Sequence, residues 1–542
     1  MEQRISTATD SSVDDLCRSY LDLKYHFDPA AASAAGLVSH DGRLGTFDDA
    51  AVRAHVAALR AVAGAVEELD VDDLQEEIDR TALLGEVRSA IFRLEHERPH
   101  ERNPVFWVNH LFQALYAVLA RTGNVTGGRA PAALERLRGV PAFLDDARST
   151  LESPPSVFVD SALAMLGGGG ELIVQMATAM GAEAPDLQQD LNAAAGTALE
   201  ALTRCGTALR DEIEPSPDPH AFAIGDEQFA RRLHFEHAVV SGAPELWRYG
   251  LHLQEETTAQ LAALAAELSP RPWRELVEEL RNDAPPSDTI LDTYRRELGR
   301  ARAFVAERDL VAIPDAPVDV VATPSFLAAL VPFAAYEPPP IYLGAPRGRF
   351  YVTPPDPAIP QQRRGHCRHG IAAMVAHEAY PGHHLQLVTA QGLRSEVRRH
   401  LWTPVMVEGW ALYCEQLAGE TGYYRTPEER LFQLVNLLWR AIRVVLDVGL
   451  HTRGMTPVEA VDYMVEHLPI ERRSAEAEVR RYCAWPTYQL CYAIGRRELL
   501  RLREAFREAA GNDYDPRTFH DTLLRYGGIP VSLARWGMDL AE

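Results

Sequence analysis

The chain has 542 residues, long enough for one large core or for two lobes. Apolar residues make up 46% and charged residues 24%, which is ordinary globular composition. With 54 Lys+Arg against 77 Asp+Glu, the net charge of −23 repels nucleic-acid phosphates and anionic lipid, so neither is an expected partner.

The N-terminus, MEQRISTATDSSVDDLC, lacks an apolar stretch after a basic start and does not read as a signal peptide. No apolar run reads as long enough to span a bilayer. Cys17, Cys205, Cys367, Cys414, Cys483 and Cys491 form no CxxC pair, which suits reduced, buried thiols and a cytoplasmic location.

Residues 47–95 carry apolar positions at helical spacing among strong helix formers, and 105–121 repeat the pattern with aromatics. The run Gly167–Gly170 lacks the Lys-Ser/Thr or strand context of a phosphate loop and reads as a connection between helices. Helical pattern returns at 185–213, is broken by Pro215, Pro217 and Pro219, and resumes near 227–268 and 288–310. Residues 311–323 read as turns. From Pro332 to Pro360 the chain is proline-rich, with RFYV at 349–352 as the best strand, and 341–352 reads as an edge strand beside a cleft. Helix dominates from 368 onward. The expected fold is mainly α, two helical lobes around an active-site cleft with a small sheet or hairpin before the motif-bearing helix. The working division is 1–213, 214–330 and 331–542.

The segment 371–386, IAAMVAHEAYPGHHLQ, places two histidines and a glutamate after an apolar helical run. Zinc-peptidase helices carry histidines at i and i+4 with a glutamate beside the first. Here i+4 is Pro381, so that pattern fails. A two-residue expansion of the turn brings His383 to the place of the second ligand. His384 returns to the starting face but lies roughly 10 Å along a straight helix from His377, too far for ligands at about 2 Å from one ion. In VMVEGWALYCEQ (405–416), Glu408 and Glu415 are seven apart and share a helix face. A carboxylate among large apolar residues needs a partner or a metal, so Glu408 is the third ligand and Glu415 an orienting residue.

HEAYPGHHLQ at 377–386 with EGWALYCE at 408–415 resembles the domain-of-unknown-function 885 family of bacterial proteins. That resemblance implies the clan of zinc peptidases containing thermolysin and thimet oligopeptidase, in which a glutamate on a later helix completes the metal site. DVGLH at 447–451 and RYCAWPTYQLCYAIG at 481–495 resemble further family segments. There Thr487, Tyr488 and Ala493 replace the usual Gly, Gln and Lys, which puts substrate contacts in doubt.

On this reading Zn2+ is held by His377, His383 and Glu408, and Glu378 is the general base of a zinc metallopeptidase-like amide hydrolase. Tyr492 and His451 are candidate oxyanion donors. Arg481 is a candidate carboxylate clamp or an internal partner of Glu478 or Asp447, and Tyr488 and His384 stand among the substrate-side or supporting residues. The expected partner is a peptide or small amide, with no nucleic acid and no membrane. The alternatives are a zinc enzyme acting on a small non-peptide amide or ester, and a metal-free helical scaffold or binding protein.

Overall fold

Helix starts are marked along the chain by a capping side chain followed by proline at the first helical position, where proline costs no hydrogen bond. Asp28–Pro29, Asn103–Pro104, Thr403–Pro404, Thr426–Pro427 and Asp515–Pro516 all follow this rule, and Thr456–Pro457 adds a full capping box with Glu459. The computed structural model describes residues 12–121, 128–324, 331, 333–344, 347–356 and 359–540. The N-terminal segment 1–11 and parts of the proline-rich stretch (332, 345–346 and 357–358) lie outside the described residues.

The chain divides into two units. The first comprises Met1–Asp70, Leu83–Phe222 and Pro340–Gly344. Its core gathers Phe27, Phe106, Trp107, His110 and Phe143 around Phe47. The glycine run is not a connection. It lies inside one helix, Ser156–Glu183. A Cβ at Gly169 would fall 1.8 Å from Phe112 Cζ, so glycine there lets the Phe112 ring rest on helix backbone. This helix is also long and apolar enough to cross a membrane by length and composition, which corrects the expectation that no such run exists.

The second unit comprises Val71–Ala82, Ala223–Pro339 and Ala345–Glu542. Among the described residues it holds one three-stranded sheet, β1 (Val318–Ala322), β2 (Ala334–Glu337) and β3 (Gly348–Val352), in the order β1-β3-β2. β1 runs parallel and β2 antiparallel to β3, with Tyr336 opposite Phe350. RFYV is therefore the central strand, and the expected edge strand is corrected: β2 is an edge, and 341–344 is turn. β1 lies in the stretch expected to be turns, where flanking prolines mask the short VDVVA run. The fold is mainly α with a small open sheet, and no active-site cleft is identified among the described residues.

Two helices of this unit meet backbone to backbone. Pro404–Thr421 packs on Cys491–Ala510, where a Cβ on Gly495 would fall 1.9 Å from Val405 O and one on Gly409 would fall 2.4 Å from Gly495 Cα. This glycine pair sets Glu408 close to Tyr488 and Tyr492, which precede and follow the start of the second helix.

Candidate metal centre

The expanded turn is a break between two helices. Arg368–Glu378 ends after Glu378, and a second helix, His383–Gln391, begins after a four-residue break. Tyr380–Pro381 is a cis peptide. Gly382 passes so close to the first helix that a Cβ would lie 1.8 Å from His377 O. The Trp410 indole N–H donates to Pro381 O at 2.9 Å and ties the turn to the Pro404–Thr421 helix. The His377 and His383 rings stand perpendicular, 4.8 Å between centroids.

Glu408 completes the group. Its Oε2 lies 3.4 Å from His383 Nε2 and 3.8 Å from His377 Nε2. One ligand atom from each of the three residues falls within 4.8 Å of the other two, a spacing that can hold a metal ion. Glu408 Oε1 is occupied separately, accepting the Tyr488 hydroxyl at 2.7 Å. His377 Nδ1 donates to Glu415 Oε1 at 2.8 Å. Glu415 is fully buried and is itself held by Asn436 Nδ2 at 3.3 Å and Arg440 at 3.7 Å.

The electrostatics agree with this geometry. Burial alone would depress His377, but Glu408 and Glu415 outweigh it and hold its pKa up at about 9. Burial would raise Glu408, but His377 and His383 hold its carboxyl well below the usual range. Glu415 is likewise lowered, with burial outweighed by Arg440 and His377.

The other expected residues fall in different places. Glu378 accepts the backbone N–H of Tyr336, on β2, at 2.9 Å. His384 turns the other way: its Nε2 donates to Ala316 O at 3.0 Å and its Nδ1 accepts the Tyr336 hydroxyl at 2.9 Å, while burial drives its pKa down to about 4. Tyr492 stacks on His377 with ring centroids 6.3 Å apart. His451 is buried and donates from Nε2 to Tyr482 O at 3.0 Å. Arg481 pairs with Glu478 at 2.7 Å.

Sequence reasoning missed Tyr336, Asn436 and Arg440, and named Asp447 only as a possible partner of Arg481. Tyr336 sits in a proline-rich stretch with no periodicity, and Asn436 and Arg440 are ordinary positions of a long helix, Pro427–Thr452. Asp447 accepts the N–H groups of Thr487 and Leu490 at 3.0 and 3.2 Å and so fixes the turn that carries Tyr488. Within that turn Thr487 has φ 64°, the left-handed region that glycine occupies freely.

A second group lies in the first unit: Asp49, His100 and Glu101 also place ligand atoms within 4.8 Å. His100 Nε2 is 3.2 Å from Glu101 Oε1. Glu101 is paired with Arg98, and Asp49 with Arg53 at 3.3 Å.

Fold and site together define a mainly helical protein with a buried pair of histidines and a glutamate arranged as metal donors. The chain belongs to the family described as Bacterial protein of unknown function (DUF885), which matches residues 29–538. It superposes on a candidate lipoprotein of unknown function from Shewanella oneidensis with a TM-score of 0.81 at 22% identity, over 98% of this chain and 100% of that one. A candidate lipoprotein from Colwellia psychrerythraea gives a TM-score of 0.85 at 19% identity, over 97% and 99%. No functionally curated protein sequence matches.

These findings correct several expectations. Family membership stands, but no finding links the chain to the zinc-peptidase clan. The hydrolase and protease reading is set aside: neither solved relative is described as an enzyme, and Pro381 occupies the i+4 position that the standard zinc-peptidase motif gives to histidine. A peptide or small-amide partner falls with it. The cytoplasmic location and the exclusion of a membrane are also withdrawn, because the solved relatives are described as candidate lipoproteins and the Ser156–Glu183 helix has membrane-spanning length and composition.

Proposed function

We propose that this protein is a metal-dependent binding protein in which His377, His383 and Glu408 hold one divalent transition-metal ion. The carrying observation is the convergence of two imidazole nitrogens and one carboxylate oxygen within 4.8 Å. Two nitrogens and one oxygen are the donor set that favours zinc, and three protein ligands leave a position for a further ligand. The Glu415–His377 hydrogen bond fixes the ring orientation, as outer carboxylates do around zinc-bound histidines. Glu378, anchored by Tyr336, is the candidate acceptor for a donor group on that ligand, and Tyr492 the candidate donor.

Zinc stoichiometry by elemental analysis, with anomalous scattering at the zinc edge, tests this. One zinc per chain between the histidines and Glu408 is expected, lost in His383→Ala and kept in His384→Ala. Zinc-replete protein with no metal at that position would sink the reading and favour a metal-free binding protein, whose histidines and glutamates neutralise one another.

A further inference from the structure

Three guanidinium groups gather around the ring that covers His377. The Cζ atoms of Arg440 and Arg443 lie 5.7 and 5.0 Å from the Tyr492 ring centroid. Arg481 stands beside Arg443, with its Cζ 5.8 Å from the Tyr482 ring centroid. The carboxylates that answer them are fewer. Glu478 is shared by Arg443 at 3.2 Å and Arg481 at 2.7 Å. Glu415 lies 3.7 Å from Arg440, but the same oxygen already accepts His377.

The outer edge of this face meets solvent, while Tyr492 and Arg443 are buried. Trp485 is 41% exposed, and from it a series of ring contacts runs inward through Tyr488 (6.1 Å) and Tyr492 (6.2 Å) to His377 (6.3 Å). The Arg481 side chain is one-third exposed beside it, at 33%.

We propose that Arg440, Arg443 and Arg481, with Tyr492, form an anion-binding wall that takes the carboxylate or phosphate of a small ligand whose other end reaches the ion at His377, His383 and Glu408. The second clause rests on the proposed metal site. The wall is independent of it. Guanidinium offers two parallel N–H donors to an oxyanion, and charge-assisted hydrogen bonds of this kind are the strong ones. A divalent ion and an excess of arginine attract the same ligand, since both are positive. The Tyr492 hydroxyl adds a hydrogen-bond donor beside the guanidinium groups. Arginines serving only to hold Glu415 and Glu478 would matter for stability and leave anion binding unaffected.

The test is calorimetric titration of the full chain with succinate and with inorganic phosphate, zinc-free and zinc-loaded, with zinc content measured on the same samples. Saturable one-to-one binding of at least one anion is expected. Arg481→Gln should weaken it on the order of tenfold to a hundredfold, and Arg481→Lys, which keeps charge but not the planar fork, should restore part of it. If Arg481→Gln does not fold, Arg440→Gln carries the comparison. Preference for succinate or for phosphate identifies the anion class. Zinc bound without saturable binding of either anion would overturn the wall and leave the metal site standing. Anion binding by protein that takes up no zinc would overturn the metal site and keep the wall. Wild-type affinity in folded Arg440→Gln and Arg481→Gln would also overturn the wall.

Discussion

The two groups of metal-capable side chains use the same residue types and differ in what surrounds them. In the first unit, Glu101 carries Arg98 and Asp49 carries Arg53, so both carboxylates are already neutralised by guanidinium. In the second unit, Glu408 contacts no arginine among the described residues. Its charge is answered by His377 and His383, while Tyr488 holds its other oxygen. An ion entering the first group must displace arginines; one entering the second replaces a proton shared among histidines and carboxylates. Spacing alone therefore does not make a metal site. The sign of the neighbouring charge decides.

The sharpest way to break this contrast is to remove one carboxylate from each group. Glu408→Gln should lower zinc affinity by more than about 100-fold, beyond the range of supporting residues, whereas Glu101→Gln should leave stoichiometry unchanged. Zinc loss in the Glu101 variant instead, read by elemental analysis, would reverse the comparison.

Gly382→Ala should come next in effect. Its Cβ would meet His377 O at 1.8 Å, so the turn must move, at an expected cost of about 3 kcal/mol in chemical denaturation with loss of the metal site. A variant with unchanged midpoint and zinc content would show that the turn does not set the His377–His383 geometry.

A pH series sharpens the electrostatic half of the comparison. In metal-free protein the His377 pKa stands at about 9 against an ordinary value of 6.5. A raised pKa contributes stability that is full below 6.5 and is lost as pH rises through 9. The metal-free protein should therefore lose stability across that window, and the zinc-loaded protein, with His377 neutral throughout, should not lose that contribution. Parallel curves for the two forms would argue against zinc on His377.

The smallest effect is expected from Tyr488→Phe, which removes the hydroxyl held by Glu408 at 2.7 Å. A loss of about 1 kcal/mol in zinc affinity is expected, and Tyr424→Phe, whose hydroxyl meets only the Glu415 backbone carbonyl, should leave zinc affinity near wild type. Equal effects would mean that Tyr488 does not position Glu408.

Some of this was written in the sequence by itself. Helical spacing and helix-forming residues act over a few residues, so the mainly α character was legible from local chemistry. The grouping of His377 and His383 with Glu408, and of His377 with Glu415, was legible too, because polar residues embedded in apolar helices stand out. What needed the tertiary structure was everything that depends on approach between distant segments. Only Gly382 against His377 O turns His383 toward Glu408 and leaves His384 to Tyr336 and Ala316. The run Gly167–Gly170 looked like a break because glycine weakens an isolated helix, and the Phe112 ring resting on Gly169 decided otherwise. The partners of Glu415 and of Tyr492 come from the Pro427–Thr452 helix, and no pattern along the chain announces which side chains a fold will bring together.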